Sequence, residues 1–338
     1  MPNGYDVARA AGVSQTTVSR VFRGDTLVAG RTRDHVLTVA RQLGYAPNLA
    51  ARTLTTNRAY TVAVITPDVV NPLYPQEITT LHGEFSAAGY RTMLLARGEA
   101  DADADSAPRD LDALRGRAVD GVVFAAATVE SPAVARFLES GMPLVLLHRD
   151  AERGEVDRVL SDDRAGCDLA AEYAVGLGHR RIGVLTGPPE TSSGRARRQY
   201  FAEALAKLGR PLDAKYARWG SHSHETGFAL AEELLALDPA PTAVLCGSDI
   251  VAYGVLDAAR RRGLRVPEDL SVIGFDDIAM SSWSMIGLTT VRQPLEKMAK
   301  AAATTLLHRI EHPDAHTPQR QVFDVELIER GTSGRAPV

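Results

Sequence analysis

The sequence predicts a small all-helical head, a short hinge and two doubly wound α/β subdomains, and three observations carry that fold class. Charge is partitioned: residues 1–58 hold eight arginines against Asp6, Asp25 and Asp34, a net +5, which leaves −9 on the rest of a chain whose formal total is −4. Up to Gly44 the apolar residues recur at helical spacing only. From Thr61 onward short apolar runs alternate with amphipathic helical patterns, the grammar of parallel sheets. A length of 338 residues, with 45% hydrophobic and 24% charged side chains, suits two or three folded domains.

In the head, Asn3 precedes a helix expected over Asp6–Ala11, Gly12 turns the chain, and Ser14 caps a second helix over Gln15–Phe22. A third helix over Arg31–Leu43 places Val36, Leu37, Ala40 and Leu43 on one face and stops at Gly44. Small Ala8 and Ala11 flank the turn, with Val7, Val13, Val18 and Val21 turned inward, which fits a helix-turn-helix over residues 1–46. After Pro47, NLAARTLTT is a helix-compatible hinge over 47–58, too short to be stable alone in water. Strand candidates then follow at TVAVIT, YRTMLLA, VDGVVFA, PLVLLH, RRIGVLT, PTAVLCG and LSVIGF, with helical patterns such as EITTLHGEFSAAG and SPAVARFLESG between them. In such folds ligands bind outside the carboxyl ends of the strands, so those loops are where binding residues are expected.

Several function classes are disfavoured. The opening MPNGYDVARAAG has no basic start followed by an apolar run, and no segment holds about 18 uninterrupted apolar residues, so the expectation is a cytoplasmic chain without membrane partners. Cys167 and Cys246 lack metal-ligand spacing and are expected to be buried hydrophobes. His148, His179, His222 and His224 are scattered and fit loop, surface or pocket positions better than a metal cluster. No GxGxxG, GxxxxGKS, HExxH or nucleophile elbow is present, and no enzyme activity, cofactor or metal is expected. A basic head on an acidic body points instead to a protein that meets nucleic acid with one end. On the leading face of the second helix, Gln15, Thr16 and Arg20 suit base edges, a glutamine pairing with adenine and an arginine with guanine, while Ser14, Thr17 and Ser19 suit phosphate.

The segments YDVARAAGVSQTTVSRVFRG, GYAPNLAARTL, VNPLY, LGHRRIGVLTGPP, RVPEDLSVIGFDDI and LTTVRQPLEKM, in this order from Tyr5 to Met298, resemble the LacI family of bacterial transcriptional regulators. The resemblance implies a homodimer whose paired heads read a palindromic operator in double-stranded DNA. It also implies a body of the periplasmic-binding-protein type, with subdomains at 59–161 plus 291–320 and at 162–290 plus 321–338. Asn48, Ala51 and Leu54 then belong to the hinge helix, with Leu54 as the apolar wedge that enters the minor groove. The cleft is implied to bind a sugar-like effector through Leu73, Tyr74, Thr191, Ser193, Arg197, His222, Ser248, Asp276 and Gln293. Tyr74 can stack on a sugar face, and Arg197 and Asp276 can pair with polar substituents.

Departures from the family pattern fall at Ser248, where an asparagine is usual, at His222, often an aromatic, at His148, often an aspartate, and at Ile286 and Gly287, which replace a proline pair. In the head, Ala29 stands where a serine caps the third helix, and Arg23 replaces an asparagine. The function expected is a ligand-responsive repressor. The alternative is a cytoplasmic or transport-associated sugar-binding protein without an operator, against which the basic head argues. The short tail GTSGRAPV has no leucine heptad, which favours a dimer over a tetramer.

Overall fold

The computed structural model describes residues 2–22, 27–45, 58–96, 114, 118–151, 154–313 and 317–337, which form two units, Met1–Tyr60 and Thr61–Val338. In the first unit α1 spans Gly4–Ala11, α2 Gln15–Phe22 and α3 Gly30–Gln42. Asn3 caps α1 by accepting from the Tyr5 and Asp6 amides, and the Asp6 carboxylate accepts the Asn3 amide in return, a reciprocal box that satisfies amides with no helical partner. Gly12 takes the left-handed conformation at φ 64°, open to glycine without strain, and turns the chain into α2. Ser14 Oγ then accepts the Thr17 amide at 3.0 Å. Val7, Val18, Val21, Val36 and Val39 make the core, with Val13 and Leu37 packed against it partly buried. Phe22 and Tyr45 close it edge to face. Ala29 precedes α3 without a side-chain cap, as expected of an alanine. Arg23 and the hinge residues Asn48, Ala51 and Leu54 lie outside the described residues.

The second unit holds two six-stranded sheets. The first is built from β1 (Thr61–Thr66), β2 (Arg91–Ala96), β3 (Gly121–Phe124), β4 (Leu144–Leu147), β5 (Asp157–Ser161) and β11 (Arg320–Phe323), in the order β11-β5-β4-β3-β1-β2, all parallel. The second takes β6 (Ile182–Thr186), β7 (Ala217–Trp219), β8 (Ala243–Cys246), β9 (Ser271–Asp276), β10 (Thr289–Arg292) and β12 (Glu326–Ile328), in the order β12-β10-β9-β8-β6-β7. Among the described strands only β12 runs antiparallel there. Among the described residues the unit also holds helices α4 (Leu73–Ala87), α5 (Pro132–Glu139), α6 (Asp163–Gly176), α7 (Ser192–Lys207), α8 (His224–Leu235), α9 (Asp249–Arg261) and α10 (Leu295–Glu311). β1, β3, β4, β6 and β8 are buried along their whole length, which explains their unbroken apolar sequences. No described helix is long and apolar enough to cross a membrane.

The chain crosses between sheets three times. The first crossing follows β5, which ends at Ser161, the second lies between β10 and α10, and the third between β11 and β12. The expected boundaries at 290/291 and 320/321 fall early, because Thr289–Arg292 stays paired with β9 and Arg320–Phe323 with β5. α8 and α9 cross at Gly227 and Gly254, where a β-carbon would collide with the Val251 carbonyl and the His224 carbonyl respectively. His179 lies in the loop between α6 and β6, as a loop position was expected, but it is buried: its ring bonds to Thr242 Oγ1, Ser271 Oγ and the Gly334 carbonyl, holding the C-terminal tail against the second sheet. Cys167 and Cys246 are buried free thiols.

Candidate functional site

On the head, α2 exposes Gln15, Thr16 and Arg20, while Thr17 and Ser19 are half-buried. The Ser14 hydroxyl is engaged at the start of α2, with Thr17 Oγ1 at 2.9 Å besides the amide it accepts. Val18 and Val21 bury the opposite side of the helix in the head core, which fixes the rotation that turns Gln15, Thr16 and Arg20 outward.

In the second unit the carboxyl ends of both sheets meet at one cleft lined by Asn71, Leu73, Tyr74, His148, Arg149, Ser193, Arg197, His222, Ser248, Asp276 and Gln293. The positions follow from topology. Asn71, Leu73 and Tyr74 follow β1, His148 and Arg149 follow β4, Ser193 and Arg197 follow β6, and His222 follows β7. Ser248 follows β8, Asp276 ends β9, and Gln293 follows β10. Eight of the nine expected cleft residues line it. The exception is Thr191, whose hydroxyl accepts the Gly194 amide at 3.1 Å and donates to the Pro188 carbonyl at 2.8 Å. It caps α7, a use that competes for every threonine before a helix.

The wall formed by the second subdomain is tightly wired. Arg197 is buried, donates to Asp163 Oδ1 through Nε at 3.0 Å and Nη2 at 2.9 Å, and donates through Nη1 to the Gly247 carbonyl at 2.6 Å. Its guanidinium lies 3.7 Å over the Phe275 ring and 3.6 Å from Asp276. Asp276 accepts from Gln293 Nε2 at 2.6 Å. Behind it, Asp249 accepts from Ser281 and Thr290 hydroxyls, both at 2.5 Å, and from the Ile278 amide at 3.1 Å. Burial pushes both carboxyls above the ordinary carboxylate range. For Asp249 the neighbouring Asp276 adds to the rise, whereas Arg197 and His148 oppose it for Asp276. His222 contacts Ser248 Oγ at 3.3 Å through Nδ1, and its buried Nε2 has no partner among the described residues. Burial, then Arg149 and Arg197, push its pKa down to about 3, so the ring is neutral near pH 7.

The wall formed by the first subdomain carries Tyr74, whose hydroxyl burial pushes up to about 12, and His148, which meets Glu77 Oε1 at 2.6 Å. Backbone strain collects at the cleft: His148, Asp276 and Asp277 adopt φ of 59°, 132° and 56°, each at a cost of roughly 1–3 kcal/mol. Asp277 is held there by Arg292 and Arg330, both at 2.6 Å. The two walls also touch directly. Ser192 Oγ accepts the Asp150 amide at 2.7 Å, and the Val129 amide donates to the Glu190 carbonyl at 2.9 Å. Asn71, His148 and Arg149 were absent from the expected cleft set. Their signal was available in part, since HRD directly follows the strand pattern PLVLL, and ligand residues of such folds lie after strands.

A helix-turn-helix head followed along the chain by two α/β lobes is the architecture of a DNA-binding transcriptional regulator. Residues 5–48 match the family described as bacterial regulatory proteins, lacI family, and residues 171–333 match a periplasmic binding protein-like domain. A protein of Streptomyces limosus, described as an uncharacterized HTH-type transcriptional regulator in the aml 5' region, is 36% identical over 99% of this chain and 95% of its own length. The lac repressor dimer bound to operator and the anti-inducer ONPF shares the fold at a TM-score of 0.85 and 26% identity, covering 98% of this chain and 99% of that one. The transcriptional regulator CelR in its cellobiose complex does so at 0.75 and 30%, covering 98% and 100%. The chain belongs to the lacI family of bacterial regulatory proteins and is a transcriptional regulator.

Proposed function

We propose that this regulator is a cytoplasmic repressor that binds a palindromic operator as a homodimer and is controlled by a sugar or sugar derivative held in the cleft. The observation that carries this is the convergence of loops from both sheets on one cleft with unsatisfied hydrogen-bonding atoms, His222 Nε2 and Gln293 Oε1, in its walls. A polyhydroxylated ligand supplies donors and acceptors to such atoms and draws the two subdomains together. Coupling to DNA requires that the ligand favour one arrangement of the subdomains, typically by about 1–3 kcal/mol, and operator then affects ligand affinity by the same factor.

Gln15, Thr16 and Arg20 are assigned to base edges, Ser14, Thr17 and Ser19 to phosphates, and Asn48, Ala51 and Leu54 to the hinge at the minor groove. Leu73, Tyr74, Ser193, Arg197, His222, Ser248, Asp276 and Gln293 are assigned to the ligand. Exposed Met93 and Leu94 on edge strand β2 supply apolar surface for association of two copies. Footprinting on inverted repeats near its own gene, repeated with a sugar panel, tests the whole reading: a folded dimer that protects no repeat refutes it. Within it, Arg20→Ala relaxes base preference, by about 1–3 kcal/mol at one base pair, whereas Leu54→Ala weakens operator binding without changing which bases are read.

A further inference from the structure

The cations of the cleft are unequally satisfied. Arg197 has Asp163 at 2.9 Å and Asp276 at 3.6 Å, and His148 has Glu77 at 2.6 Å. Arg149 is only 4% exposed, yet among the described residues it has no carboxylate within 4.0 Å. Its Nη1 donates to the Ser193 hydroxyl, its Nη2 reaches the Tyr74 hydroxyl at a long 3.4 Å, and its buried Nε has no partner among the described residues. A guanidinium cannot shed its proton, and a buried cation opposed only by hydroxyls is costly to keep. The carboxylates around this part of the cleft are already engaged, Glu77 by His148, Asp276 by Arg197 and Gln293, Asp150 by Arg158, and Asp68 by the Val70 and Asn71 amides. Ser193 belongs to the first turn of α7, a sixteen-residue helix whose N-terminus presents its own partial positive charge beside Arg149. Opposite, His222 is held neutral and adds a hydrogen-bonding nitrogen without a competing charge.

We propose that the controlling ligand is an anion, a sugar acid or a sugar phosphate, whose carboxylate or phosphate pairs with Arg149 at the start of α7. The proposal rests on the cleft being the ligand site, as set out above. An anion replaces the two hydroxyls as the partner of the guanidinium fork and engages the unused Nε, a charge-assisted bidentate contact that a neutral sugar cannot make. Closure of the two walls around it then places Ser193 and Arg149 on the same charged group.

The test is thermal shift and titration calorimetry on the full chain with matched pairs: D-galacturonate against D-galactose, D-glucuronate against D-glucose, and D-glucose 6-phosphate against D-glucose. The expected result is binding by a charged member with at least about 30-fold preference over its neutral partner, the responding pair distinguishing carboxylate from phosphate. Arg149→Gln lowers that affinity at least about 30-fold, and Arg149→Lys, which keeps the charge but loses the fork, lowers it less. Circular dichroism and operator gel shifts establish that both variants fold. A neutral sugar that binds as tightly as its acid, or an unchanged anion affinity in Arg149→Gln, overturns the anion assignment while the cleft reading stands. A panel in which no member, charged or neutral, shifts the melting temperature overturns both.

Discussion

The two walls of the cleft differ in how completely their polar groups are satisfied before any ligand arrives. On the second-subdomain wall, Arg197 and Asp249 each make three or more polar contacts, and Asp276 accepts from Gln293 beside Arg197. On the first-subdomain wall, Arg149 relies on hydroxyls and leaves Nε unused. The difference teaches where rigidity and response are divided. A satisfied buried network specifies one geometry and holds it, whereas an unsatisfied buried group stores a cost that a suitable ligand removes. The charged network around Arg197 is the platform, and a ligand changes the energy of the groups left open beside it, Arg149 Nε on the first wall and His222 Nε2 and Gln293 Oε1 next to the network.

Removing the hub of the platform is expected to have the largest effect. Arg197→Ala leaves Asp163 and Asp276 without their cation, and chemical denaturation should show a loss of about 3–5 kcal/mol together with loss of ligand response. A loss no greater than about 1 kcal/mol would mean that the platform is not pre-wired. Next come two pH experiments with opposite signs. The Asp249 and Asp276 carboxyls have folded pKa values above the unfolded value, so the stability they contribute is full below about pH 4 and is lost as pH rises through the folded values. Asp249→Asn should therefore stabilise the chain relative to the parent at pH 7 more than at pH 4, measured by melting temperature across that range. His222 titrates the other way. Its folded pKa near 3 lies below the unfolded 6.5, so its contribution is intact above about pH 6.5 and falls as pH drops toward 3. His222→Phe should melt with a shallower acid loss between those limits, and an unaltered pH profile would show that the ring is not held neutral in the cleft. The smallest effect belongs to Thr191→Ala, which removes the cap of α7. About 1 kcal/mol of stability should be lost with the order of ligand preference retained, and a changed order would return Thr191 to the ligand set.

Local chemistry made much of this architecture legible. Asn3, Gly12 and Ser14 announced the ends of the first two helices, because caps and left-handed turns depend on one or two neighbouring residues. Strands buried on both faces wrote continuous apolar runs such as TVAVIT and PLVLL, whereas β5, β7, β11 and β12 did not. DRVLS, ARW, RQVF and ELI are short and each carries a charged residue, and all but DRVLS include exposed residues, so only pairing with distant strands makes them part of a sheet.

The sequence by itself determined the helical head, the alternation that yields the parallel strands of two sheets, and the loops from which cleft residues must come. The tertiary structure decided which polar groups in those loops are already spent. Thr191 is consumed by a helix cap, His179 by the C-terminal tail, and Arg197 largely by Asp163, while Arg149 meets Ser193 across 44 residues of sequence and keeps a buried nitrogen unpaired. The reason is physical. Conformation follows from neighbours along the chain, but burial and hydrogen-bond satisfaction are set by groups that only folding brings together.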